Sequence, residues 1–345
     1  MNRPRRPLSA ARLLVCLLGL TLVLLVCLML GAALGAGKVS LWQLLGGGAQ
    51  SGEVQAAILW KVRLPRVLLA AVLGGALTSA GVAFQAILRN PLADPYVLGV
   101  SGGASIGGIL ALLLGLGRMD ALLGSIGVQA CAFLGALVAL FLVEWVATVE
   151  GRLTVYTLLL TGAVFNAFSG ALIFFLQSVA SMEQLHSIVF YLMGSVPSFG
   201  YRTVGGLAIA SLAAVALLFS MARDYNILSL GEEGALQLGV DVERVKRLTF
   251  ILGSLLTGLA VASAGLIGFV GLVVPHLLRL LLGSDHRLLL PAGFLGGAAF
   301  LVMADLGARW LLAPNEMPVG VVTALVGGPF FLYLMRRNRR RHSVL

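Results

Sequence analysis

Arg63-Leu-Pro-Arg66, followed after an apolar run by Gln85-Ala-Ile-Leu-Arg-Asn-Pro-Leu-Ala-Asp-Pro-Tyr-Val-Leu-Gly99, frames one helix of membrane-crossing length. Two arginines mark one mouth of that helix. A polar turn stiffened by Pro91 and Pro95 marks the other, because each proline fixes its own φ and pushes the preceding residue out of the helical region. Crossing the hydrocarbon layer takes roughly 20 apolar residues, and 67–87 carries no charge at all.

The pattern recurs along the chain. Segments 13–35, 64–87, 97–116, 121–145, 155–178, 203–221, 248–267, 269–283, 288–308 and 318–335 each read as a span, about ten in all. The eighth is the shortest and carries Pro275, His276 and Arg279. With 59% apolar and 11% charged residues and a mean hydropathy of +1.01, the composition lies outside the soluble range. The expectation is an all-α polytopic membrane protein, with 1–345 forming a single transmembrane domain. Arg3, Arg5, Arg6 and Arg12 precede the first segment as in a signal peptide, but its apolar core is too long, so it reads as a retained span. Cys16, Cys27 and Cys131 fall in apolar segments; odd in number and without paired spacing, they read as packing residues rather than disulfides or metal ligands.

The net charge of +10 follows the positive-inside rule and does not imply nucleic acid. Ten spans put both termini on one side, and 1–12 and 336–345 are both basic, so both become cytoplasmic tails. This places 17 of the 24 Lys and Arg residues inside and 7 outside. Among the seven, Lys61, Arg63 and Arg66 cluster at one outer mouth and Arg309 ends the ninth segment. Asp305 one turn earlier is an internal candidate partner for Arg309, and Glu316 lies nearby across a loop. Snorkelling explains single cations of this kind, whereas a rim built for an acidic partner explains a cluster.

The longest inner loop, 223–247, has an apolar side of Ile227, Leu228, Leu230, Ala235, Leu236 and Leu238, and a wet side of Glu232, Glu233, Gln237 and Glu243. Gly231, Gly234 and Gly239 cut it into short pieces. Adjacent acids disfavour anionic lipid, so an angular knuckle seated in another protein is expected. Gly31-Ala-Ala-Leu-Gly-Ala-Gly-Lys38-Val39 is no phosphate loop: its glycine spacing is wrong and Val39 stands where a magnesium-binding hydroxyl belongs. Gly99, Gly103 and Gly107, and Gly293 with Gly297, point to close helix packing. Ser79-Ala-Gly81 and Ser263-Ala-Gly265, 184 residues apart like Pro91 and Pro275, hint at two five-helix halves of opposite topology.

A second block, Gly268-Phe-Val-Gly-Leu-Val-Val-Pro-His276, then Asp285-His-Arg287, then Glu316-Met-Pro-Val-Gly320, completes the pattern. Together with the first, it resembles the permease subunits of FecCD-type ABC importers for cobalamin, haem and ferric siderophores, from about Trp42 to Phe331. The resemblance implies a homodimer around a central pathway in the bacterial inner membrane. It implies two copies of a cytoplasmic ABC ATPase that hold the ATP and magnesium, no cofactor or catalytic group in this chain, and a periplasmic or lipid-anchored binding protein. Arg63, Arg66 and Arg309 match docking arginines. Leu230, Gly231, Glu232, Glu233, Leu236, Leu238 and Gly239 match the ATPase-coupling element. Asn90, Leu92, Thr154 and Val155 match cytoplasmic gates. Thr157, Thr161, Asn166 and Ser169 scatter weak polar groups along the fifth segment, which lines the pathway in that family. A short outer helix is expected between Glu183 and Gly194. Iron-siderophore is the first substrate expectation, with haem and cobalamin next.

Two other classes fit less well. An ion-coupled secondary transporter places ionisable groups near the bilayer midplane, whereas Glu144, Arg279 and Asp305 lie toward segment ends. An intramembrane enzyme needs a Ser/His pair, paired aspartates or a zinc motif, and His276 stands alone beside a proline.

Overall fold

The computed structural model describes residues 9–34, 56–116, 121–311 and 315–342. Most of the N-terminal basic tail, the last three residues of the C-terminal one and the Gly35-to-Val39 part of the glycine–lysine stretch lie outside the described residues. All ten apolar segments form helices. They are α1 (Ala10–Ala33), α2 (Leu64–Ile87), α3 (Val100–Leu113), α4 (Ala121–Ala147), α5 (Val155–Ser178), α7 (Tyr201–Ser220), α10 (Val242–Ala264), α11 (Val270–Leu282), α12 (His286–Trp310) and α13 (Val319–His342). The expected short helix is α6 (Met182–Met193), opened by a capping box in which Ser181 and Gln184 satisfy each other's backbone N–H groups. The knuckle supplies α8 (Ala222–Leu228) and α9 (Glu232–Gln237), and a two-residue hairpin, β1 (Thr148–Val149) with β2 (Arg152–Leu153), leads into α5. Seven of the helices are long and apolar enough to cross a membrane, and α3, α11 and Val319–Tyr333 are shorter apolar helices.

The differences from the expected spans have local causes. The third begins at Val100 because Pro95–Leu98 forms a 3-10 turn, capped by the Asp94 side chain and closed by Gly99 at φ +89°, a value that favours glycine. A π-helical turn, Leu59–Arg63, precedes Pro65 at the head of α2. Its Trp60 and Val62 carbonyls accept from the Tyr201 and Ser198 hydroxyls at the start of α7. The seventh span starts at Val242, where the Asp241 side chain caps the helix, and so takes in residues read as loop.

Helix α2 is the axis of the bundle: 89% of its apolar window is buried, against 6% for α1. It stays buried because glycines let neighbours approach its backbone. A Cβ on Gly74 would strike the Gly297 carbonyl of α12, and one on Gly81 would strike the Gly271 carbonyl of α11. Gly103 and Gly107 of α3 meet Gly135 and Cys131 of α4 in the same way. The repeated tripeptide does not play one role twice. Gly81 lies inside α2, whereas Gly265 caps α10 at φ +71°; Pro91 sits in a turn, whereas Pro275 is inside α11. Below, the end of the bundle where α1 starts is the near end, and the end where it stops is the far end.

Candidate functional site

Charge is concentrated in one cluster at each end. At the far end, α12 presents Asp305, fully buried, and Arg309 one turn later, 4% exposed. An isolated carboxylate there would be costly, and Asp305 is answered twice: Arg309 Nε lies 2.9 Å from Oδ2 and Arg66 Nη2 lies 3.0 Å from Oδ1. Arg66 also reaches Glu316 Oε2 at 2.7 Å. The remaining donors of Arg309 go to the end of α1, Nη2 to the Gly31 carbonyl at 3.0 Å and Nη1 to Leu34 at 3.4 Å. Arg63, also buried, donates to the Ala32 and Ala33 carbonyls. These are the carbonyls a helix end leaves without partners, and a cation beside them also meets the negative end of the helix dipole. Arg63 and Arg309 therefore clasp α1 to the bundle. Of the three expected docking arginines, the structure gives these two an internal task and leaves Arg66 nearest the surface, paired with exposed Glu316.

At the near end the knuckle departs from its sequence reading. Leu228 and Ala235 are buried, but Leu230, Leu236 and Leu238 point outward and are exposed. The apolar side is split, one half packed and one half presented. Gly231 (φ +119°) and Gly239 (φ +82°) make the two corners, while Glu233 faces solvent. The wet side is corrected as well, because Glu232 and Glu243 turn onto Lys246. Lys246, 3% exposed, donates to Glu232 Oε2 at 2.7 Å, Glu243 Oε1 at 3.3 Å and the Leu153 carbonyl at 3.3 Å. A buried ammonium requires such partners, which overrides the amphipathic pattern. Asn226 of α8 donates to Asp285 and accepts from the His286 backbone N–H, tying the knuckle to the start of α12. Hydrogen bonds from Arg287, with help from Asn226, hold the Asp285 carboxyl down at about 2. Arg12 of α1 reaches the Leu282 carbonyl at the end of α11.

The expected gate residues form two groups. Asn90 holds its own turn, its Oδ1 accepting the Leu92 N–H, and Gln85 steadies the far side of that turn through the Ala93 and Gly271 carbonyls. Thr154 precedes α5 with its hydroxyl 2.6 Å from that of Thr157, and Val155 packs against the core. Along α5, Thr161 is half-buried. Asn166 is turned into the protomer, donating to the Tyr96 and Val97 carbonyls. Ser169 is buried against Gly102 within the protomer. The close crossing of α5 over the Tyr96–Gly102 segment draws both inward. The exposed stripe of α5 is instead Tyr156, Leu160, Val164, Phe168 and Phe175. Among the described residues, no group of three or more His, Cys, Asp or Glu side chains is arranged to hold a metal ion.

Lys246 was missed from sequence because nothing in a basic inner loop distinguishes a buried lysine from a solvated one. The available signal was its spacing: Glu243 one turn before it, and Glu232 just across a glycine-marked corner. Arg63 and Arg309 as helix caps left no signal, since their partners are backbone carbonyls.

The helical bundle, with apolar spans and, among the described residues, buried charges confined to its ends, defines a multi-pass membrane protein. Residues 21–337 match the model of the FecCD transport family, and the chain belongs to that family as an ABC transporter permease. It is 44% identical over 289 residues to a cobalamin import system permease protein, BtuC, of Halobacterium salinarum, covering 84% of this chain and 76% of that one. It is 41% identical over 333 residues to the hemin transport system permease protein HmuU of Yersinia pestis, covering 95% and 97%. A solved metal-chelate type ABC transporter in an inward-facing conformation superposes with a TM-score of 0.80 at 34% identity, covering 94% of this chain and 99% of that one.

Proposed function

We propose that this chain is the membrane-spanning subunit of an ATP-driven importer that takes a metal chelate from a binding protein and releases it in the cytoplasm. The observation that carries the reading is the knuckle, where Leu230, Leu236 and Leu238 stand exposed on glycine-cornered helices next to a buried salt cluster. Leucines presented there without a core suit insertion into a groove of a motor subunit. The near end is then cytoplasmic, with both termini, and the far end faces the binding protein. ATP and magnesium belong to two copies of that motor. A second copy of this chain would cover the apolar stripe of α5 and enclose the pathway. Arg63, Arg66 and Arg309 remain the docking candidates, and Arg66 is where an acidic partner would compete most directly, by displacing Glu316.

Cobalamin and haem head the substrate classes, supported by the two named relatives, with ferric siderophores third. The ion-coupled alternative is disfavoured by the position of buried charge: among the described residues Arg63, Asp305 and Arg309 are at the far end and Lys246 at the near end, with none between.

The test is uptake into proteoliposomes holding the permease, its ATPase and its binding protein, with labelled cobalamin, haem and ferric siderophore in separate arms. ATP-dependent accumulation of one compound is the expected result. Accumulation driven by an ion gradient without ATP would refute the proposal. In the same assay Leu236→Asp, on an exposed position, abolishes uptake while leaving the dimer assembled.

A further inference from the structure

Among the described residues Lys246 is the buried lysine, and each of its three bonds goes to a different piece of the protein. Glu232 belongs to the first turn of α9, Glu243 to the first turn of α10, and Leu153 to β2. Leu153 is gripped from both sides, because its N–H donates to Glu243 Oε2 at 2.7 Å while its carbonyl accepts from Lys246. The next residue, Thr154, is the N-cap of α5. The peptide that sets the position of α5's first turn is thus held by the same two side chains that hold the knuckle.

We propose that Lys246 is a positioning residue for transport, carrying displacement of the knuckle through Glu232 to the Leu153 peptide, and so to Thr154 and Val155 at the mouth of α5. The inference rests on the importer reading. Glu232 and Leu236 share the six-residue helix α9, so a partner that seats Leu236 moves Glu232 with it. Lys246 and Glu243 sit one turn apart on α10, a long helix whose apolar window is two-thirds buried, and form the fixed side of the joint. Glu232 is the detachable side. Its side chain is 40% exposed, so water can replace the ammonium at little cost, whereas Lys246 retains Glu243 when Glu232 leaves. The joint therefore has two states, Glu232 engaged or withdrawn, without stranding the lysine in either. The Arg247–Glu144 pair, 3.4 Å apart, ties the same turn of α10 to the end of α4, so the hairpin is steadied on its other side.

Two measurements test this. In the reconstituted complex, Glu232→Gln lowers substrate moved per ATP hydrolysed by about fivefold or more, the scale of a typical coupling free energy. Lys246→Met does at least as much, and Lys246→Arg restores most of the ratio. In nanodiscs containing the permease alone, Glu232→Gln raises hydrogen exchange at the Leu153 and Leu158 amides, the latter bonded to the Thr154 carbonyl. An unchanged ratio in Glu232→Gln overturns the proposal, even where exchange rises, because Lys246 would then only brace the hairpin. Unchanged exchange overturns it too, and that measurement needs no substrate. If wild type accumulates nothing, the importer reading fails separately.

Discussion

The two charged clusters use the same chemistry for opposite ends. At the far end a fully buried carboxylate is shared by two arginines, and the spare donors close on the last carbonyls of α1. Only Glu316 communicates with solvent. At the near end a buried ammonium is shared by two carboxylates that are themselves more than a third exposed, and its spare donor closes on a peptide in a surface hairpin. The exposure of the counter-ions is the difference that matters. A joint whose partners are all buried can break only by stranding a charge, whereas one with a solvated partner can open and close. The far cluster is a fastener and the near one a hinge pin.

The strongest way to break that contrast is Asp305→Ala. It leaves two guanidiniums facing each other in a buried site, and a loss of about 3–5 kcal/mol is expected from removing one partner of a buried pair. Thermal unfolding in detergent reads it directly, and a small loss would mean the far cluster is as compliant as the near one. Arg309→Met is next. Asp305 keeps Arg66, but the Gly31 carbonyl loses a charged donor, for about 2 kcal/mol. Spin labels at Leu34 should show the end of α1 becoming mobile, and an immobile label would remove its clasping role. Glu232→Gln should cost under about 1 kcal/mol, like other partly exposed pairs. A larger loss would make the near joint structural and sharpen nothing.

The smallest effect concerns pH. Asp285, held down at about 2 by Arg287 and Asn226, carries less proton folded than unfolded. Its contribution is complete above roughly pH 5 and fades as pH falls toward 2. The midpoint difference between wild type and Asp285→Asn should therefore be flat from pH 7 to about 5 and narrow below that. A difference that narrows by pH 6 would assign the tether to another group.

The helices were legible because ten apolar runs have few other solutions in a bilayer, and the turn at Asn90 and the capping box at Ser181 were written in local residue order. The helix ends at Val100 and Val242 were not, since Asp94 with Gly99 and Asp241 decide them by caps that periodicity ignores. Within the site, the outward leucines of the knuckle were on the page as leucines, but not their division into buried and presented halves, which depends on where α10 and α12 pass. The surroundings of Asn166 and Ser169 were hidden for a related reason. The Asn166 amide donates to the Tyr96 and Val97 carbonyls, some 70 residues earlier in sequence, and Ser169 packs against Gly102, contacts that no local pattern announces.

The clasp on α1 also bears on the order in which the chain can finish folding. Membrane proteins are built from the N-terminus, and α1 is made before the other described helices. Its closing carbonyls take one donor from Arg63, 31 and 30 positions after Ala32 and Ala33, but the other from Arg309, 278 positions after Gly31. Until α12 has been inserted, the charged donors that reach the far end of α1 among the described residues come from Arg63, and Asp305 and Arg309 arrive later on the same helix. The earliest of the described spans is thus among the last to be fixed, and a chain truncated before α12 would leave its far end loose.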